Sequence, residues 1–481
     1  RYNVLRWTSS PNPPFGGYGP SFVNPRTGQI LGADIMLEYV YFTNRVKYEK
    51  LFETFVDDQN TQSRKHNCNA GDYIQQGNFF GKLVTGSIGN YSELEQHRII
   101  YESLVRLTLH EIGHTHGLNH NFASSYLHSF NNIHDRHITE PIGLTSSVME
   151  YPAVNVGLGP NMHGQFYTTV PGPYDNWAIQ FGYTPSLKNP EDEKERVEKL
   201  LSQSTKPELL FGNDSDDMRY PGKGIDPRMM IYDLSDDPVA YAQQRMDLVK
   251  ALYPKLRSRY EIKGGSYHSF KDAFYILNRE YSQSANIISR QIGGVYIDRS
   301  MIGEEGKEEP FTSVSKDQQK WAMTLLNKYV FSPDAFDTPD GIFNYLQSER
   351  RGFSGTKDPN ILDMYLNMQK NIFNHILNIK VVKRISNAEL YGNKYSLSEV
   401  FKDLTVACFS SDAGSNVNSM RRNLQVEYAK RLIQVVHNKG KLKYDHLAVA
   451  AAYENLNTVK KYASRFNGVD EPTKAHRKYL I

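Results

Sequence analysis

The chain has 481 residues, with 56 Lys and Arg against 53 Asp and Glu and a formal net charge of +3. That length favours two or perhaps three domains over one core, and the near balance of charge supplies no long-range field that would select nucleic acid. Apolar residues make up 39% and no stretch of about eighteen consecutive apolar residues occurs, so no transmembrane segment is read. Cys68 and Cys408 are the two cysteines. They provide neither a disulfide framework nor a thiolate zinc site, so any metal must be held by His and carboxylates; whether they pair with each other is left open. With Arg1 at its start and no basic, apolar leader, the chain is read as a processed or excised portion of a longer precursor.

Residues 1–28, rich in Pro, Gly and Ser, are expected to form extended coil on a surface. The β-rich run from Gln29 to Phe42 alternates in part and is read as a strand, and Gly77 to Ile88 as another. Ser92-Glu-Leu-Glu95 has the capping-box pattern, so a helix should start there. Leu94, Ile100, Leu104, Leu107, Glu111 and His114 recur mostly every three or four residues, which predicts a buried stripe along that helix. Gly117 is well placed to end it. After Tyr183-Thr-Pro185 the composition turns Lys/Glu-rich, and helical patterns follow around 238–260, 268–290, 316–330, 360–382, 416–438 and 443–464. The boundary is placed near 185, dividing residues 1–185 from a mainly helical region, 186–481, expected to pack against them.

The segment His110-Glu-Ile-Gly-His-Thr-His-Gly-Leu-Asn-His120 fits the zinc pattern H-E-x-x-H-x-x-G-x-x-H without a mismatch. One helical turn separates His110 from His114, so both imidazoles project from one face toward one ion. Gly117 can adopt backbone angles closed to other residues and turn the chain so that His120 becomes the third ligand. Three neutral imidazoles leave a fourth zinc position for water, whose pKa falls toward neutrality. Glu111, beside the first ligand, is the natural general base and then general acid. A degenerate, structural metal site is the competing reading, but such a site has no use for the carboxylate.

Ser147-Val-Met-Glu-Tyr151 resembles the Met-turn of the metzincins, in which a methionine, here Met149, lies beneath the three histidines. Tyr151 matches the tyrosine of the astacin and serralysin branches, and the resemblance implies that it stabilises the oxyanion; packing of its ring is the alternative. His116, His128, His134, His137 and His163 lack ligand spacing and are read as surface or core histidines. Asn121 to Ser146 is expected to form a wall or lid beside the cleft.

The match extends to Arg26-Thr-Gly-Gln-Ile-Leu-Gly-Ala-Asp-Ile35, His120-Asn-Phe-Ala-Ser-Ser125, Ser147 to Asn155 and Gly172-Pro-Tyr-Asp-Asn-Trp-Ala-Ile179. Ile225-Asp-Pro-Arg228 and Ile292 to Ser300 belong to the same pattern. These segments resemble a bacterial family of large, secreted zinc-dependent metalloproteases, common in Bacteroidetes, with a helical region after the peptidase. The resemblance implies an α+β fold: a metzincin-like catalytic domain with a twisted mixed sheet, an active-site helix and a Met-turn, then the helical region. It also implies a signal and pro-region and a secreted, periplasmic or cell-surface location; it implies little about the substrate, which is expected to be a protein or peptide. Met36 and Leu37 would lie on the cleft's edge strand, where an extended peptide adds as a further strand. Asn213-Asp-Ser-Asp-Asp217 offers alternating oxygen ligands for calcium, and Asp233, Asp236 and Asp237 invite the same idea. The expected activity is a zinc endopeptidase. The alternatives are a zinc exopeptidase, an amidase on a non-protein amide, and a silent surface-binding protein; the oligomeric state is not fixed by the sequence.

Overall fold

The computed structural model describes residues 3–9, 17–39, 70–88, 91–157, 164–304, 309–349, 358–440, 443–466 and 468–481. Strand β1 (Val4–Thr8) runs parallel to β4 (Ile30–Glu38), while β2 (Gly17–Tyr18) and β3 (Ser21–Val23) run antiparallel on the other side of β4. The sheet is thus mixed, and the described residues of the stretch 1–28, expected to be coil, include three strands. Isolated, this Pro- and Gly-rich stretch has no strand signature; pairing with β4 supplies the hydrogen bonds that make it one.

Strand β4 alternates as expected. Ala33, Ile35 and Leu37 are buried, and Ile35 and Leu37 pack with Leu107, Phe122 and Tyr151 in an apolar cluster. Met36 and Leu37 are nevertheless not on an edge. Met36 pairs with Arg6 and Tyr18, and Leu37 with Trp7 and Gly17, so the outer position belongs to β2 and β3.

The strand expected over 77–88 is also corrected: residues 77–87 lie in helix α1 (Ala70–Ser87), and Ile88 follows it. Ile74, Phe79, Phe80, Leu83 and Val84 are buried there along with Gln75, Gln76 and Asn78. A helix buried nearly all round carries no clean amphipathic period. Its glycines serve close approach: a Cβ on Gly77 would lie 2.5 Å from the Tyr167 hydroxyl and one on Gly81 3.3 Å from Ile99.

Helix α2 (Glu93–Thr115) starts at the capping box as the sequence predicts, Ser92 accepting from Glu95 N and the Glu95 carboxylate from Ser92 N. Its buried side differs from the predicted stripe. Leu94 is 79% exposed, whereas Ile99, Glu102, Ser103, Arg106, Leu107, His110 and Glu111 are buried. Polar residues go inside because each finds a partner: Ser103 accepts from Asn78 Nδ2, Arg106 donates to the Glu150 carbonyl, and Glu102 accepts from Phe166 N and Tyr167 N.

Short helices α3 (Arg136–Ile142) and α4 (Pro173–Tyr183) follow, then α5 (Pro190–Leu201) and the long α6 (Pro238–Tyr260) and α7 (His268–Arg290). A two-stranded pair, β5 (Val295–Ile297) and β6 (Phe311–Ser313), precedes α8 (Lys316–Leu326). The pattern at 360–382 divides into α9 (Ile361–Ile376) and α10 (Ile379–Ala388), because Asn378 caps a new helix through Lys380 N. Four more complete the chain: α11 (Leu397–Phe409), α12 (Ser419–His437), α13 (His446–Ala463) and α14 (Glu471–Leu480).

A single apolar cluster joins Phe80, Ile99, Val154 and Phe166 to Met246, Leu277, Ile372 and Leu424. Within it Arg245 and Glu280 form a fully buried ion pair, and Arg245 and Tyr241 both donate to the Val154 carbonyl. Helices α6 and α7 are thereby tied to the backbone just beyond the Met-turn. No helix among the described residues is long and apolar enough to cross a membrane.

Candidate metal centre

Helix α2 delivers His110 and His114 on adjacent turns, with ring centroids 4.7 Å apart. The chain leaves the helix at His116, and Gly117 adopts φ +85°, a left-handed conformation that glycine takes without strain. The reversal brings His120 to 4.9 Å from His114 and 5.4 Å from His110 between centroids. One ring nitrogen from each histidine lies within 4.8 Å of the others.

Each Nδ1 faces an acceptor: the Val148 carbonyl at 2.8 Å for His110, the Leu118 carbonyl at 3.1 Å for His114, and Asp214 Oδ2 at 2.7 Å for His120. An Nδ1–H that donates leaves Nε2 with its lone pair, the tautomer a metal requires. His110 Nε2 is buried and has no hydrogen-bond partner, so a cation would satisfy it. Burial, together with the neighbouring His114 and Arg106, holds the His110 pKa well below its ordinary value, and burial and His120 bring His114 down to about 4. Both rings are therefore neutral at physiological pH, and the donor set fits zinc.

Met149 is fully buried beneath this group, and a Cβ on Gly113 would lie 2.3 Å from its Sδ. Gly113, between the two helical histidines, is what lets the sulfur come so close. Asp175, at the start of α4, fixes the turn: its carboxylate accepts from Ser147 Oγ at 2.6 Å, Val148 N at 2.8 Å and Gly172 N at 2.9 Å. The sequence reading gave this residue no role, including it only in the family resemblance at 172–179. Glu150 is fully buried, accepts from Ser124 N and Tyr151 N, and has its pKa raised by burial and by the charge of Asp233.

Tyr151 is buried and lies 2.9 Å through its hydroxyl from His120 Nε2. Its ring packs on Phe122 and Tyr73, so one residue both packs and carries a polar group into the site. Glu111 is fully buried. Beside it, a Cβ on Gly17 would lie 2.3 Å from Oε1 and one on Gly19 2.5 Å from the Glu111 carbonyl. Two glycines thus let β2 approach this carboxylate backbone-first, a role the sequence reading did not assign.

The other histidines stand apart from the group. His116 is exposed and bonds through Nδ1 to the Ile112 carbonyl, His128 Nε2 lies 2.7 Å from the Gly143 carbonyl, His134 is buried and His137 exposed. His163 and Cys68 lie outside the described residues, and Cys408 is buried and free. Residues 121–146 are bonded to later parts of the chain, Phe122 N donating to the Gly212 carbonyl and Asp236 N to the His128 carbonyl.

The calcium reading of 213–217 is not supported. Asp214 turns to His120, Asp216 to Arg299 and Asp217 to Arg219, so the alternating oxygens diverge. Asp233 is fully buried, Asp236 accepts from Phe130 N, and Asp237 caps α6 through Ala240 N. Among the described residues the three histidines are the one cluster of three or more such groups able to hold a metal.

No curated protein and no solved structure matches this chain. Residues 93–416, more than half the chain and spanning the three histidines and the Met-turn, match the Met-zincin family, and the chain belongs to that family of metzincin-type zinc metallopeptidases.

Proposed function

We propose that the protein is a zinc-dependent endopeptidase, with His110, His114 and His120 as ligands and Glu111 as the proton carrier. The observation that carries this reading is the set of three anchored Nδ1 atoms, which leaves each Nε2 its lone pair in a group of histidines whose ligand nitrogens lie within 4.8 Å of one another. Zinc bound there supplies Lewis-acid chemistry, polarising a carbonyl and lowering the pKa of water to about 7.

Glu111 takes a proton from the attacking water and passes it to the leaving amine nitrogen. Tyr151 donates its O–H toward the oxygen that becomes negative as the carbonyl carbon turns tetrahedral. The backbone of Gly17 to Gly19 shields the Glu111 carboxylate from bulk solvent. The edge from Gly17 to Val23 offers main-chain groups to an extended peptide, the role the sequence reading gave to Met36 and Leu37.

In this reading residues 1–185 carry the catalytic groups and the mainly helical 186–481 brace them. Export from the cell follows from the resemblance to secreted proteases. Glu111→Gln is expected to keep zinc and lose peptide hydrolysis by at least about 10²-fold, measured on a diverse peptide library. Unchanged hydrolysis removes Glu111 from the mechanism, and digestion confined to chain termini defeats the endopeptidase reading in favour of an exopeptidase.

A further inference from the structure

The three histidines differ in what holds them. His110 and His114 are fixed by their helix, and their Nδ1 atoms meet neutral backbone carbonyls of Val148 and Leu118. His120 follows the turn at Gly117 and lies in no helix or strand. Its Nδ1 alone meets a carboxylate, Asp214 Oδ2 at 2.7 Å, from a loop 94 residues downstream.

That loop is held in its own right and against the residues next to His120. Asp216 N donates to the Asn213 carbonyl, Ser215 N to Asn213 Oδ1, and Arg299 to Asp216 Oδ1 at 2.6 Å. Phe122 N donates to the Gly212 carbonyl at 2.7 Å and Gly212 N to Asn121 Oδ1 at 3.2 Å. Lys223 Nζ reaches the Asp214 carbonyl. The carboxylate and the ring are therefore set facing each other by bonds that involve neither of them. The Phe122 ring stacks on His120 at 5.4 Å and limits its rotation.

We propose that Asp214 is a positioning residue for the metal: accepting the His120 Nδ1–H, it fixes the ring's tautomer and aim, so that the third zinc ligand depends on a residue from the C-terminal part of the chain. A charged acceptor also raises the donor strength of Nε2, which neutral carbonyls do less well. The proposal rests on the zinc site of the preceding section. It differs from it in assigning to a single outer carboxylate the hold on one particular ligand.

The test is zinc affinity, measured on the full chain by competition with a chromophoric chelator, alongside the visible spectrum of the cobalt(II)-substituted protein. Asp214→Ala is expected to weaken zinc binding by about 10- to 100-fold and to alter the cobalt bands, while the melting of the metal-free protein stays near wild type. Asp214→Asn keeps an oxygen acceptor without the charge and should fall between the two. Asp214→Glu, if it regains the bond, should restore both readouts, which a merely structural loss would not do. Wild-type zinc affinity and an unchanged cobalt spectrum in both the Ala and Asn variants overturn the positioning role. If the Ala variant fails to fold, the Asn variant alone decides by the same two readouts. A wild-type chain that binds no zinc, or a His114→Ala chain that binds it undiminished, overturns the underlying zinc site instead.

Discussion

The contact between Gly113 and Met149 allows a calculation with a definite sign. A Cβ at position 113 would lie 2.3 Å from Met149 Sδ, and the methionine is 0% exposed. Ordinary contact distances are about 3.5 to 4 Å, so the sulfur or the helix must yield by more than about 1 Å. Alanine in a helix interior is worth about 1 kcal/mol over glycine, and overpacking a closed core costs about 1–3 kcal/mol. Gly113→Ala should therefore be neutral to destabilising by about 2 kcal/mol, against the gain that helix propensity alone gives. Met149→Ala removes a buried side chain and should cost about 2–5 kcal/mol, but it also opens the space. In that background Gly113→Ala should stabilise by about 1 kcal/mol. The coupling between the two sites is then about 1–3 kcal/mol, read from urea unfolding of the four metal-free proteins. If Gly113→Ala gains its full helix increment in the wild-type background, the sulfur does not press on position 113 and the account of the Met-turn fails.

Tyr151→Phe keeps the ring against Phe122 and Tyr73 but loses the hydroxyl; kcat on a peptide substrate should fall by about 10²-fold with zinc content and KM nearly unchanged. A variant with full kcat would leave Tyr151 only a packing role. Burial raises the pKa of Asp233 well above the usual carboxylate range, and burial with the charge of Asp233 does the same to Glu150. A carboxyl raised in the folded state contributes stability that is fully present below its unfolded pKa of about 4 and is lost as pH rises through the folded value. Asp233→Asn should therefore raise the melting temperature more at pH 8 than at pH 5. Equal shifts at both pH values would show that Asp233 does not titrate in this way.

What could be read in advance was what is local. The i, i+4 spacing of His110 and His114, the capping box at Ser92 and the positive φ of Gly117 each depend on a few neighbouring residues, and each stands as expected. Strand β4 was legible because one of its faces is wet enough to alternate. Helix α1 was not, since burial on nearly every side erases the period that distinguishes a helix from a strand. Strands β1 to β3 take their identity from β4, and Arg106 is buried because the Glu150 carbonyl, 44 residues on, receives it. Asp175 and Asp214 were hidden for the same reason: each acts across a long stretch of chain, on partners that no spacing in the sequence announces.

Some of the bonds that brace the metal centre come from residues made well after its histidines. The carbonyl of Tyr151 is met by Tyr232 N, that of Val154 by Tyr241 and Arg245, and Arg245 in turn by Glu280. A ribosome that has already released His110, Glu111 and His120 has yet to make these partners. The growing chain thus carries its three histidines and the turn at Met149 before this second layer of support, contributed by Tyr232, Tyr241, Arg245 and Glu280, exists.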